Sequence, residues 1–287
     1  MSKGVTSMGM LSINTNVGAL KAADAAYSVN KSMETSMQRL STGKRINGAI
    51  DDAAGLQISQ RHEAEIRGFK QATKNVADTQ ALLATAEGAM GEITNILQRM
   101  RELAVQSASG TMSTADRTAL QSEVEALETE IDRIKDDTTW AGKQLLDKSE
   151  NGSTGQFVFH VGPDASDTIR HTIPSFVQTA AAIGLASTET VSTQTKARAY
   201  ITAIDQALSN VSVEREQAGA VMNRLDFTMA NLSNMATNLA LAKGRIEDAD
   251  FAAESANLAR TQVLQQASMA MLAQANASKT QILALFQ

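Results

Sequence analysis

Residues 76–104 read VADTQALLATAEGAMGEITNILQRMRELA. Along this stretch Val76, Thr79, Leu83, Ala86, Met90, Ile93, Leu97, Met100 and Ala104 recur at alternating steps of three and four. A mean step of about 3.5 residues keeps side chains on one narrow helical seam, the pattern of coiled-coil packing. A second stretch repeats it, through Ile201, Ile204, Leu208, Val211, Arg215, Ala218, Met222, Leu225, Met229, Leu232, Ala236, Leu239, Lys243 and Ile246. Only Thr79, Arg215 and Lys243 break the apolar series. Such helices extend roughly 45–70 Å. The seams point to packing and assembly before catalysis.

Composition narrows the class. Aromatic residues make up only 3% of the 287, so Leu, Ile, Val, Met and Ala must build the core. Small side chains let helices approach closely, which suits bundles better than a deep ligand pocket. Both prolines, Pro163 and Pro174, fall in one middle segment, leaving the two halves free to be helical. Acidic and basic residues are interspersed around a formal charge of −5, and no basic run marks a nucleic-acid partner. No apolar run reaches the roughly 20 residues that cross a bilayer, so no membrane partner is expected. The start, Met1-Ser2-Lys3-Gly4, has no apolar signal-peptide core. Cysteine is absent, so helix packing alone must supply stability.

A pass along the chain orders the elements. Ile13, Val17, Leu20 and Tyr27 begin a helical stripe that Ser12 or Asn14 could cap, and Gly43 suits its C-terminal end. Gly43, Gly48, Gly55 and Gly68 then interrupt the periodicity, predicting a connector with one short helix over about Ala53 to Arg67. The long seam helix follows from about Gln71. Ser113 or Thr114 caps a third helix with Leu120, Val124, Leu127, Ile131 and Ile134 on its seam. Phe157, Phe159 and Val161 alternate, as do Ile169 and Ile173, around a Gly162-Pro163-Asp164 turn, which predicts a β-hairpin. A fourth helix ends at Gly244. A terminal helix from about Ala249 carries the stripe Leu264, Met271, Ala275, Ile282 and Leu285.

The expected fold is mainly α, a long-helix coiled-coil bundle with a small β-hairpin and paired N- and C-terminal helices. Its domains are a terminal coiled coil at 1–42 and 249–287, a connector at 43–70, and a bundle at 71–248 with the hairpin at about 155–175. Two helices cannot bury their stripes on all sides. The terminal pair should therefore order fully only when identical copies pack around it, with Ile13, Val17, Leu20, Tyr27, Leu264, Met271, Ala275, Ile282 and Leu285 as self-assembly residues.

No catalytic constellation is present. His62, His160 and His171 are scattered, with no His pair at metal-ligand spacing, so no metal is expected. Gly43-Lys44 and Gly142-Lys143 lack the upstream glycine of a phosphate loop, and no cofactor is expected. Glu247, Asp248 and Asp250 lack calcium-loop spacing and read as helix N-terminal acids. Trp140, near Leu145 and Leu146, reads as a plug at the bundle end.

Four longer motifs go further. Gln38-Arg39-Leu40-Ser41-Thr42-Gly43-Lys44-Arg45-Ile46-Asn47 followed by Asp51-Asp52-Ala53-Ala54-Gly55 resembles bacterial flagellin. So do the run from Leu97 to Ser107, Arg245-Ile246-Glu247-Asp248-Ala249-Asp250-Phe251, and Met271-Leu272-Ala273-Gln274-Ala275-Asn276. The resemblance covers about residues 12–148 and 194–287 and implies a short form of that family. Flagellins polymerise into the helical filament used for motility, with the terminal helices lining its inner core. It further implies unfolded export through the flagellar type III pathway, secretion to the extracellular filament, and no enzyme activity. The implied partners are further copies of the chain, an export chaperone on the C-terminal helix, the filament cap and junction proteins, and the animal Toll-like receptor for flagellin. For that receptor the resemblance singles out Arg99, Leu103 and Glu123, a face that also packs between subunits. A hook–filament junction protein shares the terminal helices. A coiled-coil translocator of a type III secretion system is the alternative from another class.

Overall fold

The computed structural model describes residues 15–147, 155–174, 176 and 190–284, with side chains as far as residue 278. The elements are α1 (Val17–Thr42), α2 (Ala53–Ser107), α3 (Thr114–Asp137), β1 (Thr139–Trp140), β2 (Lys143–Gln144), β3 (Gln156–His160), β4 (Thr168–Thr172), α4 (Gln194–Glu247) and α5 (Phe251–Ala284). Their described residues pack as two units, one from 64–239 and one from 1–63 with 240–287.

In the unit spanning 64–239, the quoted seam is the centre of the core. All nine of its residues are buried, Thr79 included. Thr79 satisfies its hydroxyl by donating to the Asn75 carbonyl at 2.7 Å. On α4, Ile204, Val211, Ala218, Leu225 and Leu232 are buried, while Ile201, Leu208, Met222 and Met229 are half-buried against the core. On α3, Val124 and Ile131 are buried and Leu120, Leu127 and Ile134 are partly so. The helix buried at both alternating positions is α2, so it is the central one and α3 and α4 flank it. Polar contacts link each pair. Arg99 meets Glu123 at 2.8 Å, Arg101 meets Asp205 at 2.7 Å, and the Tyr200 hydroxyl donates to Glu128 at 2.7 Å.

Helix ends and turns follow side-chain chemistry. Ser113 caps α3, its side chain accepting from the Asp116 N–H while the Asp116 carboxylate accepts from the Ser113 N–H, a capping box. β3 and β4 pair antiparallel with Phe157 opposite His171 and Phe159 opposite Ile169. The two Phe rings stack at 6.0 Å on the inward face, where Ile169 and His171 are buried. His160 and His171, both placed on the hairpin by the sequence, are not opposite one another, since His160 pairs with Thr168.

Four expectations change. The connector's short helix does not end near Arg67, because α2 is one 55-residue helix from Ala53. Gly68 marks a close approach and no break: a Cβ there would lie 2.9 Å from the Pro163 Cβ. At the other end α4 passes through Gly244 and stops at Glu247. The described part of α1 starts at Val17 with Asn16 as its cap, the side chain accepting from the Ala19 N–H. Ile13, Ser12 and Asn14 lie outside the described residues. Finally, β1 and β2 form a small hairpin that alternation did not announce. Ala141 and Gly142 turn it with φ of 50° and 80°, the doubly positive geometry of a type I′ turn. Trp140 on β1 packs partly buried against the core, with Leu145 and Leu146 fully inside.

Leu97→Ala should cost about 2–5 kcal/mol, by lost burial and a cavity at the central seam. Met271→Ala on α5, 67% exposed, should change the monomer by less than about 1 kcal/mol. Denaturant titration of the two monomers compares them, and equal losses would mean that the α5 stripe belongs to a folded core.

Candidate self-assembly surface

In the unit of 1–63 with 240–287, α1 and α5 pack side by side. Small residues make this possible: a Cβ at Gly18 would stand only 3.8 Å from the Ala275 Cβ. The Asn16 cap donates from Nδ2 to the Ala275 carbonyl at 3.0 Å, so the residue that starts α1 also ties it to α5. Gln265 donates to Asn30 at 2.7 Å, and Arg39 lies 3.8 Å from Glu254.

This pair encloses very little. On α1 only Ala26 and Ser36 are buried, and among the described side chains of α5 only Glu254 is. Val17, Leu20 and Tyr27 are exposed, Tyr27 at 73%, and Leu264 and Met271 likewise. Ala275 is half-buried beside Gly18. Ile282 lies within α5 beyond the described side chains, and Ile13 and Leu285 are outside the described residues. A groove of about 550 Å³ runs between the helices, lined by Gly18, Ala22, Leu264, Met271 and Ala275 among others. Phe251, Val263 and Met269 open to water on other sides of α5. The sequence stripe missed these three, because polar and apolar residues are mixed around α5 and mark no single face.

Where α1 ends, a charged clamp holds the chain. Lys44 pairs with Asp248 in an isolated β-bridge. The Arg45 N–H donates to the Glu247 carbonyl at 2.6 Å, and the Ala249 N–H donates to the Gly43 carbonyl at 3.0 Å. The buried Glu247 carboxylate pairs with Lys44 and, at 3.6 Å, with Lys243, which also meets Glu63 at 2.7 Å. Burial alone would push the Glu247 carboxyl up, but the two ammonium groups outweigh it and hold it below its ordinary value. The Glu63 hydrogen bond, against some desolvation, raises Lys243. Asp51 accepts from the Asn47 and Gly48 N–H groups, at 2.9 and 3.1 Å, and Arg45 lies 4.0 Å from Asp52 across the loop. Asp250 acts as the expected helix N-terminal acid, accepting from the Ala252 and Ala253 N–H groups.

The third group of sequence-selected residues divides. Arg99 and Glu123 are exposed and paired, with Glu102 closing on Arg99 at 2.9 Å. These carboxylates, Glu123 first, raise the Arg99 pKa. Leu103 is 1% exposed, so it is a core residue and does not belong to an open face. It lies one helical step off the Met100–Ala104 seam, on the wider stripe a central helix must bury. Phe227 on α4 is an exposed aromatic that no periodicity singled out.

A closed bundle together with a helix pair open on its apolar faces defines a subunit built to pack with others. The description "Bacterial flagellin N-terminal helical region" matches residues 13–151, and "Bacterial flagellin C-terminal helical region" matches residues 201–286. The flagellin of Halalkalibacterium halodurans is 42% identical over 276 residues, covering 96% of this chain and 99% of that protein. The flagellar filament 33 kDa core protein of Treponema phagedenis is 36% identical over 286 residues, with the same coverage. The crystal structure of Bacillus cereus flagellin aligns with a TM-score of 0.49 at 31% identity, over 59% of this chain and 94% of that one. The chain belongs to the bacterial flagellin family, a family of structural proteins, and is a subunit of the flagellar filament. Among the described residues no helix is long and apolar enough to cross a membrane.

The clamp sets a pH dependence. A carboxyl with a lowered folded pKa stabilises above its ordinary pKa and loses that contribution as pH falls through the folded value. At neutral pH, Glu247→Gln should speed hydrogen exchange at the Arg45 and Ala249 amides. The gap from wild type should close on acidification through the lowered Glu247 pKa. A gap that stays constant into acid would mean that the Glu247 charge contributes nothing to the clamp.

Proposed function

We propose that the α1–α5 pair is the polymer-forming element of this filament subunit, through Val17, Leu20, Tyr27, Leu264, Met271 and Ala275, continued by Ile13, Ile282 and Leu285. The observation that carries this reading is the exposure of large apolar side chains, Phe251, Val263, Leu264, Met269 and Met271, on more than one side of α5. Copies packing around the pair remove that surface from water, at roughly 25 cal/mol per Å². The bundle of 64–239 needs no such help, its seam being enclosed already.

The same exposure bears on what precedes assembly. A monomer with an apolar α5 needs a cover, which fits an export chaperone on the C-terminal helix. Export as an unfolded chain through the flagellar type III pathway suits a protein with no cysteine to cross-link it and a terminal pair that buries little. The extracellular filament is then the destination, with cap and junction proteins contacting the same helices at its ends. The Toll-like receptor for flagellin would meet the exposed Arg99–Glu123 pair, with Leu103 fixing the Arg99 backbone from inside the core.

Removing residues 265–287 should leave a soluble bundle with unchanged thermal melting that forms no filaments in the electron microscope. Met271→Asp should do the same, since assembly would bury an unpaired carboxylate. Filaments from either protein would overturn the assignment of the terminal helices. For the receptor, Arg99→Ala with Glu123→Ala should silence a reporter-cell response to monomer, and an undiminished response would remove that face from the reading.

A further inference from the structure

The described methionines range widely in exposure, with Met37 on α1 at 53% and Met235 on α4 at 37% between the extremes. On α5, Met269 and Met271 are 57% and 67% exposed, whereas Met90 and Met100 in the α2 seam are 1% and 0%. With no cysteine in the sequence, the thioether is the softest sulfur the protein offers to an oxidant. Two residues along a helix is a rotation of about 200°. Met271 lines the groove against α1 while Met269 opens on the opposite side, so the pair samples both faces of the helix. Gln265, Gln266, Ser268 and Gln274 are among the polar neighbours on this stretch; no charged side chain of α5 lies between Arg260 and Lys279, and Lys21 of α1 lines the groove on the Met271 side alone.

We propose that Met269 and Met271 are a modification site for small hydroperoxides, and that their oxidation closes the assembly surface. The proposal rests on the reading of α1 and α5 as the polymer-forming pair. The thioether sulfur attacks the terminal peroxide oxygen and a sulfur–oxygen bond forms as the oxygen–oxygen bond breaks. The hydroxyl proton passes to the departing oxygen, which leaves as water or an alcohol. Sulfur is oxidised by two electrons to the sulfoxide and the peroxide is reduced by two, so atoms and electrons balance. A flexible apolar side chain becomes a polar one on each of two faces that copies must bury. Burying a sulfoxide dipole without a partner opposes association. The same burial shields the sulfurs once the polymer has formed. The site is therefore open in the monomer and closed in the filament.

The test uses the full chain. Monomer and polymer are exposed to hydrogen peroxide, and the oxidised methionines are located by peptide mass spectrometry. In monomer, Met269 and Met271 should oxidise well before Met90 and Met100, and the oxidised monomer should show a critical concentration for polymerisation raised about tenfold. Treatment with the two methionine sulfoxide reductases, one for each sulfoxide epimer, should restore it. A Met269→Leu, Met271→Leu double variant keeps volume and apolarity, and should polymerise as well after peroxide as before. If Met271 reacts as fast in polymer as in monomer, the reading of α5 as the buried assembly element fails. If polymer protects it but oxidised wild type polymerises at an unchanged critical concentration, the oxidation proposal alone fails. It fails equally if the double variant loses assembly after peroxide.

Discussion

Two helices laid side by side touch along one line and leave most of each surface in water, whereas three can enclose a seam. That constraint organises this chain. In the unit of 64–239, α2 has neighbours on both sides of its stripe, and the nine seam residues from Val76 to Ala104 are all buried. In the other unit α1 and α5 lie side by side along one line, and among the described residues their enclosed side chains reduce to Ala26, Ser36 and Glu254. The first difference between the two units is how many partners one copy of the chain can provide.

The polar residues within the seams serve a second purpose. Arg215 sits in an otherwise apolar series and finds Glu87 on α2 at 2.6 Å. Lys243 in the same series finds Glu63 and Glu247. Between helices with repeating apolar positions, a slip of one heptad would leave nearly the same hydrophobic contact. It would also separate Arg215 from Glu87 and Lys243 from Glu63 on α2, leaving Lys243 only Glu247 of its own helix. Such pairs contribute little to net stability when partly exposed, but they make one register better than its neighbours.

Much of this could be read in the residues, for identifiable reasons. The seams were legible because long repeats sum many weak signals, and the 155–175 hairpin because inward and outward residues alternate cleanly. Ser113 and Gly43 were legible because caps are local chemistry. Glycines misled: Gly68 and Gly244 lie inside helices, where packing overrides a cost of about 1 kcal/mol each. The β1–β2 turn was hidden by Ala141, which adopts positive φ where Asn or Gly is the usual signal. Glu247 could not be assigned to Lys44, since the two are distant in sequence and meet only through the fold. Leu103 was placed on a surface by motif and turned out to be core, because a helix enclosed on both sides buries a stripe wider than a two-position seam.

The α5 residue set follows from the same partner constraint. A stripe written for one fixed neighbour favours branched side chains that specify a single fit, as Ile204 and Val211 do on α4. α5 instead carries Ala, Gln, Ser and unbranched Met, side chains that adapt to contacts from several directions and tolerate small shifts between them. A helix with those residues gains little from any one neighbour and accumulates its burial from many. On the proposed reading of α1 and α5 as the polymer-forming pair, that burial comes from the copies packed around them, and the part of the chain that assembles is the part that encloses least in a single copy.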